Sequence, residues 1–134
     1  MVETQTCIRQ LARRFIEKLE SEITVEKVVL YGSYARGDAR AESDIDLAII
    51  SRNLARLDPI QRIQMIARHQ VGCDTRLVPF GYSLGEYNHA QPWTFLGEIK
   101  RTGKVIYTRS KRRAQNSARK NRKMSDEGRR TKDK

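Results

Sequence analysis

Residues 27–50 read KVVLYGSYARGDARAESDIDLAII, and in this stretch two apolar runs enclose a polar one. The runs KVVLY and IDLAII are short and rich in β-branched residues, which is typical of buried strands. A Gly-Ser pair directly follows the first run, and an Asp-x-Asp overlaps the start of the second. The stretch therefore predicts two strands of one sheet, with a turn after the first and paired carboxylates at the start of the second.

Helices and further strands are predicted on both sides of this stretch. Apolar residues at three- and four-residue steps indicate helices with one buried face, and Gly, Pro and capping residues mark where elements begin and end. The predicted elements are helix 5–20, strand 27–31, strand 45–50, a helix from Asp58 to about 71, strand 74–78, a short helix from Ser83, a helix from about 93 to 101 and strand 105–107. This order predicts an α+β (mixed α/β) domain in which helices pack on a small mixed sheet.

The positive charge of the chain is concentrated in its last 26 residues. The formal net charge is +11 over 134 residues. Residues 1–108 carry 15 Lys and Arg against 13 Asp and Glu, whereas residues 109–134 carry 12 against 3. The second segment has only three apolar residues, too few to offset the entropy of ordering it. We therefore expect one domain over residues 1–108, followed by a disordered basic tail over residues 109–134.

The sequence carries no signal for secretion or for membrane insertion. No run approaches 18 apolar residues, and the first ten residues lack a charged start followed by an apolar run. Cys7 and Cys73 are isolated thiols without the paired spacing of a zinc site. We expect a soluble, cytoplasmic protein that makes no membrane contact.

The pair Gly32-Ser33 is a candidate phosphate-binding turn. A glycine at this place allows close approach of a ligand to several backbone N–H groups, and the hydroxyl of Ser33 adds a donor. A helical turn that begins here would direct its positive end at the same place, and Arg36 could add a charge-assisted contact. Taken alone the pair is ambiguous, because a glycine after a strand is more often a plain turn.

Asp44 and Asp46 are candidate metal ligands. Side chains two residues apart on a strand project from the same face, so the two carboxylates are neighbours while Ile45 and Leu47 face the other way. At roughly 6 Å and an effective dielectric near 20, their repulsion is on the order of 2–3 kcal/mol, which a divalent cation between them removes. The alternative is that both acids simply face solvent where a loop ends and the strand begins.

Asp74 opens the third predicted strand, which Pro79 and Gly81 are expected to close. If that strand neighbours the second, it brings a third carboxylate to the same face. Three acids without nearby Cys or His favour Mg²⁺, and such a site suits phosphoryl transfer with two metal ions. The alternative is that Asp74 is a strand-entry residue that accepts a hydrogen bond from a nearby N–H.

The pair at 32–33, ten intervening residues and the Asp-Ile-Asp at 44–46 resemble the polymerase-β-like nucleotidyltransferase superfamily. The motif matches the form GSxARGxxxxxSDIDL of the minimal members of that superfamily. Residues 74–76 and 83–87 are similar to the strand that carries the family's third carboxylate and to the helix after it. The resemblance covers about residues 5–107 and implies the small mixed sheet of the nucleotidyltransferase fold.

The resemblance also implies a role for each residue of the motif. It implies that the Gly-Ser pair holds the triphosphate of ATP, which is the co-substrate, and that Arg36 assists either the phosphates or the charge that develops during transfer. Asp44, Asp46 and Asp74 would bind two Mg²⁺ ions, and Asp74 would also help to deprotonate the acceptor. The implied reaction is transfer of AMP from ATP to a hydroxyl group.

Three functions are compatible with the resemblance. The minimal members are often antitoxins paired with a HEPN toxin, which they AMPylate on a tyrosine or mask, and the small size of this chain favours such a protein acceptor. The second function is that of a non-catalytic partner-binding or RNA-associated module, with nonspecific nucleic-acid contact through the basic tail. The third is an aminoglycoside-type nucleotidyltransferase acting on a small molecule, which ranks lowest because the sequence offers no substrate domain.

Overall fold

The computed structural model of the protein describes residues 5–109. In chain order the elements are α1 (Gln5–Leu19), β1 (Lys27–Tyr31), α2 (Ser33–Arg36), β2 (Ile45–Ile50), a 3-10 helix (Arg52–Arg56), α3 (Pro59–Gln70), β3 (Leu77–Tyr82), α4 (Leu84–Asn88), α5 (Phe95–Thr102) and β4 (Lys104–Thr108). Helices and strands thus mix along the chain, as the sequence predicts for a mixed α/β (α+β) domain. Within the described residues, no helix has the length and apolar character that crossing a membrane demands.

The four strands form one mixed sheet in the order β3-β2-β1-β4. β1 runs antiparallel to both β2 and β4, whereas β3 runs parallel to β2. The two apolar runs within residues 27–50 form the two central strands. Their bounds at 27–31 and 45–50 agree with the prediction. Central strands are covered on both faces, which explains why these runs are apolar at nearly every position.

The two faces of the sheet carry two separate apolar cores. The face that includes Ile45, Leu47 and Ile49 packs with the buried residues of α1 and α3. The opposite face carries the smaller core, formed by Val29, Ala48, Ile50, Tyr87 and Ile99. Because side chains alternate along a strand, Asp46 lies on this second face with Ala48. The carboxylates of the motif therefore face the side of the sheet that α4 and α5 cover.

The predicted helix starts are set by side-chain caps. Asp58 accepts a hydrogen bond from the backbone N–H of Gln61 at 2.8 Å and begins α3, as predicted. Ser83 and Glu86 form the predicted capping box, in which the Ser83 hydroxyl accepts from the Glu86 N–H at 3.0 Å. α5 begins at Phe95, slightly later than the sequence predicts, because the residue before it caps the helix. Side-chain caps thus determine where three of the helices begin.

The prediction of a strand at 74–78 is wrong in its bounds, because β3 contains both Pro79 and Gly81. β3 is an edge strand that pairs with β2 alone. The carbonyls of Arg76 and Tyr82 accept hydrogen bonds from the β2 side, so the backbone groups of Pro79 face the open edge. The missing N–H of a proline costs no ladder hydrogen bond there. Proline and glycine therefore do not close this strand, which extends past both residues.

The predicted basic tail lies outside the described residues, except for its first residue. Arg109 donates its backbone N–H to the carbonyl of Glu26 at 2.9 Å, directly after β4. The division into a domain over residues 1–108 and a tail over residues 109–134 stays a prediction.

Candidate active site

Gly32 joins β1 to α2 in a conformation that only glycine adopts readily. Its φ is 77° and its ψ is −151°, a region that a Cβ atom makes costly. The backbone N–H groups of Ala35 and Arg36 donate to the Gly32 carbonyl at 3.1 and 3.0 Å, so a helical turn begins here. The turn ends at Gly37, which is left-handed with φ 85°. Ser33 is the first residue of this turn, next to the strand end.

The Gly32 backbone lies directly against the carboxylate of Asp46. A Cβ atom built on Gly32 would stand 2.2 Å from Asp46 Oδ2 and 3.1 Å from Asp46 Cγ. Sheet register produces this approach, because Tyr31, the last residue of β1, is paired with Asp46 of β2. The structure therefore brings the candidate phosphate turn and the candidate metal ligand into one place.

The electrostatics of Asp46 show that the acids of the motif interact. Burial raises the pKa of Asp46, the negative charge of Asp44 raises it further, and the guanidinium of Arg36 lowers it. Arg36 itself pairs with Asp38 at 3.2 Å, and both side chains are well exposed, so this ion pair holds Arg36 only weakly. A partly buried carboxylate with a second carboxylate beside it is a place where a cation is stabilised.

A cavity of about 510 Å³ lies between the Gly32 turn and α5. Its lining residues are Tyr31, Gly32, Ala35, Arg36, Asp46, Phe80, Phe95, Glu98, Ile99 and Thr102. The volume lies in the range of small-molecule sites, and the lining combines aromatic walls with two acids and one guanidinium. A nucleotide offers the matching features, namely an aromatic base and a chain of phosphates.

Sequence reasoning missed the wall of the cavity that is opposite the motif. Phe80 and Phe95 are 47% and 64% exposed, and the ring of Phe95 meets that of Tyr31 edge to face at 5.8 Å. Burial raises the pKa of Tyr31 to about 12, so its phenol keeps its proton at neutral pH. Neither phenylalanine belongs to a motif, and only the packing of α5 on the sheet brings Phe95 and Glu98 to the site.

The structure does not bring Asp74 to this site, which corrects the expected set of three acids. Asp74 lies in the turn before β3, where its Oδ2 pairs with Arg76 Nη2 at 2.8 Å and its Oδ1 accepts the Arg76 N–H at 2.9 Å. These contacts lower the pKa of Asp74. The β3 residue in register with Asp46 is Val78, which has no ligand atom. Among residues 5–109, no three or more His, Cys, Asp or Glu side chains are placed to hold a metal ion.

A second cavity, of about 620 Å³, lies between α3 and the open edge of β3. Its walls are mostly apolar, and its one ion pair joins Arg62 to Glu86 at 2.8 Å. Although it is the larger cavity, it contains neither the Gly32 turn nor the acids of the motif. We therefore assign the smaller cavity as the candidate active site, with Phe80 lining both spaces.

The family model described as "Polymerase beta, Nucleotidyltransferase" matches residues 14–112, which is most of the chain and includes the whole motif. The chain belongs to this family. The family assignment agrees with the mixed sheet and with the position of the Gly-Ser turn beside the paired acids. The likeness to nucleotidyltransferases therefore extends well beyond the motif, over residues 14–112.

Two archaeal relatives of this nucleotidyltransferase are both named as putative protein adenylyltransferases. "Putative protein adenylyltransferase MJ0604" of Methanocaldococcus jannaschii is 28% identical over 104 residues, which span 71% of this chain and 93% of that protein. "Putative protein adenylyltransferase MJ0141" of the same organism is 39% identical over 59 residues. The second match covers 43% of this chain and 60% of the relative, so it spans less than two thirds of that protein.

Solved structures share the fold at low sequence identity. A "putative nucleotidyltransferase" from Sulfolobus solfataricus is 22% identical with a TM-score of 0.61, and the match covers 80% of this chain and 86% of that one. A toxin-antitoxin crystallised with AMP-PNP is 18% identical with a TM-score of 0.52, covering 87% and 92% of the two chains. At these identities the likeness is one of fold.

Proposed function

We propose that this nucleotidyltransferase transfers AMP from ATP to a hydroxyl group of a protein, and that the cavity between the Gly32 turn and α5 binds the nucleotide. The observation that carries the proposal is the contact between the Gly32 backbone and the Asp46 carboxylate. A phosphate-binding turn and a metal-binding acid must adjoin if both are to act on one triphosphate. Here they adjoin inside a cavity of about 510 Å³.

The triphosphate is proposed to lie on the turn that begins at Gly32. Backbone N–H groups at the start of α2 and the hydroxyl of Ser33 would donate hydrogen bonds to phosphate oxygens. Arg36 lines the cavity and is held only by an exposed ion pair, so its guanidinium can turn to a phosphate at little cost. The nucleobase would then lie toward the aromatic wall, where Phe80 and Phe95 are exposed.

The chemistry of Asp44 and Asp46 fits Mg²⁺. This ion binds oxygen ligands and commonly takes one or two carboxylates together with substrate phosphates and retained waters. The raised pKa of Asp46 reflects burial and the charge of Asp44, and a cation between the two acids would relieve that repulsion. When bound, Mg²⁺ would neutralise phosphate charge and polarise the α-phosphoryl group. With Asp74 held by Arg76, we propose Asp44 and Asp46 as the protein ligands.

A protein is proposed as the acceptor, and a HEPN-type toxin as that protein. The relative MJ0604, which the chain matches over 93% of its length, is named "Putative protein adenylyltransferase". A neighbour in fold was crystallised as a toxin-antitoxin with AMP-PNP. The cavity is also bordered by exposed aromatic side chains, which are common where one protein meets another.

The test is transfer of label from α-labelled ATP with Mg²⁺ to a HEPN-type protein encoded next to this one. We expect label on the partner with the wild-type chain and none with Asp46→Asn. The matched control is Glu42→Gln, which removes an exposed acid from the same loop and should leave transfer intact. If the wild-type chain labels no partner, and Mg-ATP binds equally to wild type and Asp46→Asn, the proposed function is wrong.

A second candidate function is non-catalytic binding of the partner, without AMP transfer. The register position beside Asp46 on β3 favours it, because Val78 occupies that position and the expected Asp74 does not. In that case the chain binds Mg-ATP and neutralises the toxin, no label appears on the partner, and Asp46→Asn still neutralises it.

A further inference from the structure

Transfer of AMP to a hydroxyl group releases a proton from that hydroxyl. General bases that take such a proton must reach the attacking oxygen, directly or through one water. Asp74 was expected in this role, but its carboxylate is bonded to Arg76 in the turn before β3. The β3 side chain in register with Asp46 is that of Val78, which cannot accept a proton. The sheet residues beside Asp46 therefore do not supply the base.

The opposite wall of the same cavity carries one carboxylate. Glu98 of α5 lines the cavity together with Asp46, Arg36 and Tyr31. Asp46 and Glu98 lie on different elements, one on the sheet and one on the helix that covers it. A ligand held at Asp46 would thus occupy a cavity that Glu98 also lines, from the helix that covers the sheet.

Close packing and an N-terminal cap hold α5, the helix of Glu98, in its position. The next residue, Ile99, is 1% exposed and belongs to the apolar core under α5. The preceding residue, Gly97, is packed so closely that a Cβ atom on it would stand 1.9 Å from the carbonyl oxygen of Gln91. Thr94 caps the helix by accepting the Gly97 N–H at 3.0 Å. The backbone at Glu98 therefore cannot move away from the cavity without unpacking its neighbours.

Arg101 pairs with one of the two oxygens of the Glu98 carboxylate. Arg101 Nη2 donates to Glu98 Oε1 one helical turn along. Both side chains are more than half exposed, so the pair adds little to stability and holds the carboxylate only weakly.

We propose that Glu98 is the general base of the transfer reaction, an inference that rests on the proposed function. The oxygen of the acceptor hydroxyl forms a bond to the α-phosphorus of ATP, and its proton passes to the Glu98 carboxylate. The bond between the α-phosphorus and the bridging oxygen to the β-phosphorus breaks, and pyrophosphate leaves with that electron pair. Asp46 holds the nucleotide on the sheet side, and Glu98 activates the acceptor from the helix side.

The first test compares Glu98→Gln with Arg101→Gln, using α-labelled ATP, Mg²⁺ and the HEPN-type partner. Glu98→Gln keeps the size of the side chain and removes its basicity, so kcat should fall by about 10²–10⁴ while the Kd for Mg-ATP stays the same. Arg101→Gln removes the ion-pair partner and keeps the carboxylate, so kcat should stay within about threefold of wild type. Equal rates for Glu98→Gln and wild type overturn the inference and leave the proposed function standing.

The second test is rescue of Glu98→Ala by formate, a small carboxylate that can enter the space left by the side chain. We expect formate to restore part of the lost kcat in Glu98→Ala and none in Asp46→Ala, since the second variant lacks a ligand rather than a base. A side chain with a merely structural role gives no rescue, and that result overturns the inference. If wild type transfers no AMP to the partner, the inference and the proposed function fail together.

Discussion

Asp46 and Gly32 are in such close contact that the carboxylate occupies the space where a side chain at residue 32 would begin, with 2.2 Å between Asp46 Oδ2 and a Cβ built on Gly32. The same glycine has a φ of 77°, which a Cβ atom disfavours independently. A glycine is therefore required here for two separate reasons. One reason concerns the backbone of the turn, and the other concerns the position of the acid.

Gly32→Ala should displace the Asp46 carboxylate and weaken Mg-ATP binding by tenfold or more, along with a loss of about 1–3 kcal/mol in the free energy of unfolding. The matched control is Gly37→Ala, where φ is 85° but no atom lies within 4 Å of the built Cβ. That variant should lose stability and retain affinity. Calorimetric titration with Mg-ATP and urea unfolding separate the two effects. Equal losses of affinity in both variants would contradict the contact argument.

Asp44→Asn should lower the pKa of Asp46 toward its ordinary value, because the charge of Asp44 is the second cause of the shift after burial. A raised folded-state pKa stabilises the protein below the ordinary pKa, and that stability is lost as pH rises through the folded-state pKa. The variant should therefore lose less stability over this pH range than wild type. Carbon-13 NMR titration of the Asp46 carboxyl group measures the shift.

The control for the Asp46 titration is Glu42→Gln, which removes an exposed acid from the same loop. It should leave the pKa of Asp46 unchanged. Added Mg²⁺ should stabilise wild type more at neutral pH than at acid pH, because protons compete with the ion for the carboxylates. A pKa of Asp46 that is the same in Asp44→Asn and in wild type would show that the two acids do not interact.

Asp74→Asn tests the correction of the third carboxylate. Arg76 lowers the pKa of Asp74 by donating hydrogen bonds to its carboxylate, first from the guanidinium and then from the backbone N–H. The stability from a lowered pKa is present above the ordinary pKa and is lost as pH falls through the folded-state value. At neutral pH the variant should lose on the order of 1 kcal/mol in the free energy of unfolding. Its Kd for Mg-ATP should match that of wild type, whereas Asp46→Asn should lose affinity.

The position of Asp74 also shows which part of the site the sequence could predict. Gly32, Asp44 and Asp46 are joined by one short loop between two strands whose apolar runs are unmistakable, so their meeting follows from local structure. The position of Asp74 depends on the register of the parallel pair β2 and β3, which no local pattern specifies. Pro79 made that strand look shorter than it is, because its missing N–H faces the open edge of the sheet.

The contribution of α5 to the cavity could not be predicted from the sequence, for a different reason. Glu98 and Phe95 lie on α5, about fifty residues along the chain from Asp46, and only tertiary packing brings them to the same cavity. Their own sequence context shows a capped helix with one apolar face. Such a pattern predicts that α5 packs on something, and it does not predict which charged residue then faces a ligand.

Arg62→Met should lower the free energy of unfolding by about 2–3 kcal/mol, because several acceptors would lose a donor. Arg62 Nε donates to the carbonyls of Leu54 and Leu57 at 3.0 and 3.1 Å, and its side chain is only 14% exposed. Its Nη1 also holds Glu86 at 2.8 Å. The control is Arg68→Met on the same helix, where an arginine 60% exposed makes a surface ion pair and should contribute less than about 0.5 kcal/mol. Urea unfolding measures the free energy of unfolding of both variants. Equal losses would mean that the buried contacts of Arg62 do not stabilise the packing of α3.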